Sequence, residues 1–163
     1  MRTILAILIV VAVFICGAVL FVWSGVYDVA ADKPHWKIVD WFLEEVRERS
    51  IAVRSENISP PPPGAVQQNL IESASNYYYG TCILCHGAQG RPPEKFSRGL
   101  NPVPPDFASP EWDRPEDMEM FWIIKNGIKM TAMPSFGKEV FKDDQIWAMV
   151  DFLKHLPRNE PKK

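Results

Sequence analysis

The stretch Tyr79-Gly80-Thr81-Cys82-Ile83-Leu84-Cys85-His86-Gly87-Ala88-Gln89-Gly90 holds two thiols separated by two residues, with a histidine directly after the second. At that spacing two cysteines can reach the two vinyl groups of one porphyrin and form thioethers, and the adjacent imidazole can then meet the iron. A redox Cys-x-x-Cys belongs beside a βαβ pattern, and no strand-rich stretch lies nearby. Zinc needs a second ligand pair. His35 and His155 do not form one, and Cys16, the third cysteine, stands in an apolar run far upstream. The expected cofactor is therefore one covalently bound haem c with its iron, attached through Cys82 and Cys85 with His86 as the proximal ligand.

Outward from the motif the pattern is helical. Gln68 to Tyr79 offers Leu70, Ile71, Ala74 and Tyr78 on one side, the spacing of an amphipathic helix. Met118 to Lys125 predicts a short helix with Phe121 and Trp122 toward the porphyrin. Lys142 to Leu156 predicts a terminal helix with Ile146, Trp147, Val150, Phe152, Leu153 and Leu156 apolar.

On these residues the chain resembles the small, single-haem class I c-type cytochromes over residues 66 to 157. His86-Gly87-Ala88-Gln89-Gly90 is similar to the turn after the attachment site, and Leu100 to Phe107 to the proline-rich loop on the proximal side. The resemblance implies a proline carbonyl accepting a hydrogen bond from the proximal imidazole, with Pro102 or Pro104 as the acceptor. Asn126 to Phe136 resembles the distal loop, which implies Met133, followed by Pro134, as the axial thioether. Met130 is its local competitor, and His155 would be needed for a bis-histidine site. The resemblance further implies that the first and last helices cross near the haem, with Ala74 and Tyr78 against Met149 and Phe152. Ala74 stands where the family often has glycine.

Upstream the chemistry changes. Thr3 to Tyr27 carries no charged side chain. As a helix it would span roughly 37 Å at ~1.5 Å per residue, enough for a hydrocarbon core of ~30 Å. Trp23 and Tyr27 sit at its distal end, Arg2 precedes it, and Asp28 and Asp32 follow. The positive-inside rule then puts the N-terminus in the cytoplasm and the rest outside. Val29-Ala30-Ala31 could pass for a signal-peptide cleavage site, but the apolar run exceeds a signal h-region of ~7–15 residues. Residues 1–27 are read as an uncleaved anchor, and export is expected on either reading. Cys16 follows Val13-Phe14-Ile15, which lacks the small residues of a lipoprotein site.

Residues 28–58 predict a juxtamembrane amphipathic helix, with Pro34 in its first turn and Asp32 as cap. Trp36, Val39, Phe42, Leu43 and Val46 form its stripe, and Lys37, Asp40, Glu44, Arg47 and Glu48 the opposite face. Such a helix can lie on the bilayer, pack on the later domain or dock a partner. Ser59-Pro60-Pro61-Pro62-Pro63-Gly64 favours polyproline II. Residues 59–64 are read as a semi-rigid linker and residues 65–163 as the cytochrome c domain.

Composition bounds the rest. The chain has 163 residues, a net charge of −2 and three cysteines. That excludes a disulfide scaffold and gives no basic face for nucleic acid. No carboxylate pair, Ser/His arrangement or phosphate loop accompanies the motif. The expected fold is all-α: a small cytochrome c-type haem domain preceded by a single transmembrane helix and an amphipathic helix. The expected protein is an electron carrier, not an enzyme, tethered to the bacterial inner membrane with its haem on the periplasmic side. It would exchange electrons with a donor and an acceptor protein, steered by Lys125, Lys129, Lys138 and Lys142 around the methionine loop. The alternative is a fixed subunit of a larger respiratory oxidase, reductase or dehydrogenase complex.

Overall fold

The computed structural model describes residues 1–160 and is helical throughout, with no strand among them. Its helices are α1 (Arg2–Ser24), α2 (Lys37–Ser55), α3 (Gln68–Tyr77), α4 (Ile83–His86), α5 (Asp117–Asn126) and α6 (Asp143–Lys154). A π-helical segment, Tyr78–Cys82, joins α3 to α4, and a 3₁₀ turn spans Lys95–Gly99. The chain divides into two units, Met1–Pro34 and His35 onward.

The first unit is α1. Its side chains are exposed along the whole length, as suits a helix whose apolar surface meets lipid. It ends at Gly25, whose φ of 64° is the left-handed conformation that closes many helices.

In the second unit α3, α5 and α6 enclose one core. Tyr78, Ile146 and Ala148 have no exposed surface, and Ala74, Ile83, Met120, Phe121, Met149 and Val150 are buried with them. α3 packs on α6, where Tyr78 meets Phe152 with ring centroids 5.3 Å apart. Ala74 and Met149 are buried in this same core. Two local devices start the later helices. Glu119 accepts the Glu116 N–H at α5, and Gln145 Oε1 accepts the Lys142 N–H at α6, each satisfying a donor that the helix itself leaves unpaired.

Helix α2 belongs to this second unit and packs on α5. It begins at Lys37, later than expected: Pro34 precedes it in coil, Trp36 takes the cap position, and Asp32 makes no cap bond. It also runs nine residues past Val46, and there the inward face lies. Ile51 and Ser55 are buried and Val39 and Leu43 half-buried, while Phe42 and Val46 stay exposed. The four prolines connect α2 to α3 inside one compact unit, in which α2 packs on α5 and Ile51 is buried.

Candidate haem site

The Cys82-x-x-Cys85-His86 motif sits where α3 changes winding. Tyr78–Cys82 is a π turn, a form that occurs mostly as single turns within helices and is frequent at functional sites. Tyr78 is fully buried there and its phenol donates to the Gly87 carbonyl, tying the start of the motif to its end. Burial pushes that phenol far above its ordinary pKa, so it remains a donor. α4 stops at Gly87, with φ of 65°. A Cβ there would lie 2.8 Å from both Asp106 Oδ1 and Pro93 Cδ, so only glycine lets the loops close around His86.

Cys82 and Cys85 are both half-buried and unpaired. Burial pushes the Cys82 thiol up to about 11 and raises that of Cys85 as well. Disulfide oxidoreductases need the opposite, a depressed thiolate pKa. Among the described residues no group of three or more His, Cys, Asp or Glu side chains is placed to hold a metal ion.

His86 Nδ1 lies 2.9 Å from the carbonyl oxygen of Pro105. The acceptor is thus neither Pro102 nor Pro104. The Phe107 N–H donates to the His86 carbonyl at 2.8 Å, which pins residue 107 beside residue 86 and brings the carbonyl two positions earlier to the ring. The imidazole also stacks on Phe107 at 4.1 Å and 16°, and Phe107 stacks on Trp112 at 4.3 Å. Arg158 closes the column over Trp112 and donates to its carbonyl. Burial holds the His86 pKa below the ordinary histidine value, against the opposing pull of the Pro105 bond and the Asp106 carboxylate. A neutral ring that donates through Nδ1 leaves Nε2 as a lone pair, the form a metal needs. The sequence reading did not reach this aromatic column; the pairing of Phe107 and Trp112 with a histidine across loops has no periodic signal.

The methionine loop is fastened at both ends. Ile128 N–H donates to the Met133 carbonyl, and the Met133 N–H to Thr131 Oγ1 at 3.0 Å. Ser135 Oγ and the Gly137 N–H both donate to the Lys125 carbonyl. Gly127, with φ of 66°, lies so close to this loop that a Cβ would fall 2.6 Å from Pro134 C. Met133 is half-buried against the core, whereas Met130 is 81% exposed at φ of 60°. His155 is exposed at the end of α6.

These residues fit a porphyrin. The motif and loop segments leave Leu84, Phe96, Val103 and Met130 exposed, an apolar surplus of the kind a macrocycle covers. Residues 69–153, just over half the chain, match the model of the family described as cytochrome c oxidase, cbb3-type, subunit III. The chain belongs to that family. No curated protein matches it in sequence. Its cytochrome c domain implies haem c with iron and a role in electron transport.

The charges around the domain are partly spent internally. Lys125 pairs with Asp143 at 2.7 Å and lies over the Phe121 ring, which leaves Lys129, Lys138 and Lys142 as the exposed lysines of the expected cluster. In the acidic run Glu111, Asp113, Glu116, Asp117 and Glu119, Asp117 is bound by Arg114 and Lys154. Phe121 is buried and stacks on Trp147 at 4.4 Å; Trp122 is half-buried.

Proposed function

We propose that this chain is a membrane-tethered electron-transfer protein carrying one haem c between redox partners outside the cytoplasm. Cys82 and Cys85 would hold the group as thioethers, and His86 and Met133 would supply the two protein ligands to its iron. The observation that carries the reading is the Cys82-x-x-Cys85-His86 motif with His86 already oriented by the Pro105 carbonyl. When bound, the haem supplies a one-electron couple. Pro105 holds the His86 ring in one tautomer, the Phe107 face fixes its plane, and the bonded loop delivers Met133. With His86 and Met133 both given to the iron, no ligand position would be left for a substrate, which suits outer-sphere transfer rather than catalysis.

The anchor is the apolar helix within residues 1–27, placed by the positive-inside rule in the bacterial inner membrane with the haem unit on the periplasmic side. The proposed organisation keeps residues 59–64 as a stiff connection and residues 65–163 as the haem-binding segment, with α2 of the 28–58 region packed on it.

The intact mass of exported protein tests the reading. One added haem that survives acid–acetone extraction is expected; folded protein of unmodified mass overturns it. A second reading is favoured by the family, whose description is that of an oxidase subunit: the chain would be a fixed cytochrome c subunit of a larger membrane complex. Detergent extraction from native membrane separates the two, as a lone cytochrome or a stable assembly.

A further inference from the structure

Helix α2 is apolar on two sides, and the fold covers one of them. Val39, Leu43 and Ile51 turn inward. Ile38, Trp41, Phe42 and Val46 recur at helical spacing on the adjoining sector, with exposures of 66, 59, 56 and 49%. Charge enters this sector at its C-terminal end, where Glu45, one turn after Trp41 and Phe42, pairs with Arg49 at 2.8 Å; Arg47 pairs with Glu44 and Glu48 along the flank. A contiguous apolar patch that includes a tryptophan and a phenylalanine marks a contact surface.

We propose that this face lies in the headgroup region of the bilayer, as a second membrane contact that holds the haem-bearing unit against the lipid. The proposal rests on the reading of α1 as an anchor. Chain length selects lipid as the occupant. Residues 25–36 are all that join α1 to α2, and twelve residues reach at most ~40 Å even when fully extended. They are not fully extended: the Lys33 N–H donates to the Ala30 carbonyl, and Asp28 accepts the Ala30 N–H. In every copy of the chain, therefore, the patch stays within a short reach of the membrane surface, a high effective concentration that a separate protein partner does not have. The residue types agree, because indole and phenyl rings beside aliphatic side chains are what interfacial helices bury. The charges on this sector, Glu45 and Arg49, pair with each other, so apolar burial rather than attraction to anionic headgroups drives the contact, and it should respond little to salt.

The consequence is geometric. α2 packs on α5 and α5 leads into the Met133 loop, so a bilayer that holds α2 also restricts how the proposed haem site can face its partners.

Site-directed spin labelling of the full-length holoprotein tests this, in nanodiscs of phosphatidylethanolamine and phosphatidylglycerol. Cys16→Ser removes the anchor thiol, and Cys82 and Cys85 are taken up as thioethers. A nitroxide at Phe42→Cys should be several-fold more accessible to oxygen, relative to a water-soluble nickel chelate, than one at Glu72→Cys, an exposed position on α3. Equal ratios at the two positions overturn the proposal. So does a label at 42 shielded from both reagents, which would point to a protein partner or a second copy. A label at Val11→Cys reports on α1 separately: high nickel access there means that the anchor reading has failed, whereas lipid exposure at 11 with water exposure at 42 rejects the α2 contact alone.

Discussion

At the scale of single residues, burial separates two methionines that the sequence places three positions apart. Met133 packs against the core while Met130 points outward. If Met133 is the axial thioether, Met133→Ala should abolish the weak red-end absorption of ferric protein and lower the reduction potential, because a thioether favours ferrous iron. Met130→Ala should change neither. Visible spectra and a redox titration of both variants decide the matter, and the reverse pattern reassigns the ligand. Gly127 explains why the loop keeps its place. Any side chain there would strike the backbone of Pro134 and Ser135 and would have to tolerate a left-handed φ. Pro105 shows the limit of residue-level reading. A run containing three prolines announces a rigid loop, but which carbonyl meets the imidazole follows from the Phe107–His86 backbone bond.

Between elements, one carboxylate clips α5 to α6. Asp117, in the first turn of α5, accepts from Arg114 at 2.6 Å and from Lys154 of α6 at 2.9 Å. Burial pushes its carboxyl upward, but the two cationic partners outweigh this and hold it below the ordinary aspartate value. A depressed carboxyl stabilises the fold above its unfolded-state pKa, and the contribution fades as pH falls through the folded-state value. Asp117→Asn should therefore cost about 1 kcal/mol near neutral pH, a partly exposed pair being discounted for screening. The difference between variant and wild type should shrink as the solution is acidified. Denaturant melts of the holoprotein at several pH values measure it, and a pH-independent difference would remove the electrostatic account. The lysine cluster is a second matter of elements: Lys125 spends its charge on Asp143 of α6, so the exposed positive charge beside the methionine loop is that of Lys129, Lys138 and Lys142.

For the whole molecule the question is where the haem-bearing unit begins. A cut before Ala65 respects the proline run but removes α2, which packs on α5 and carries the buried Ile51. A cut before His35 keeps the unit entire. With an export signal supplied to each, the longer fragment should unfold at a denaturant midpoint close to that of the full chain. The shorter should lose roughly 1.5–3 kcal/mol, the worth of burying one such aliphatic side chain. Equal midpoints for the two fragments would mean that α2 adds nothing to the fold.

The sequence by itself determined what is local or periodic. An uncharged apolar run dictates a helix long enough to span a bilayer, the Cys-x-x-Cys-His spacing dictates the cofactor class, and apolar spacing places α3, α5 and α6 within a few residues of where they lie. Side-chain type and short-range spacing encode these features directly, and no partner segment is needed to read them. The tertiary structure alone decided the rest: Pro105 rather than Pro102 or Pro104 at the imidazole, the Phe107–Trp112 column behind it, Asp117 as a clip, and α2 packed on α5 rather than held apart by four prolines. Each depends on which distant segments come together. A proline run restricts only its own dihedrals, and the burial of Ile51 and Ser55, residues with no signal beyond their place on a helix, determines what lies on either side of it.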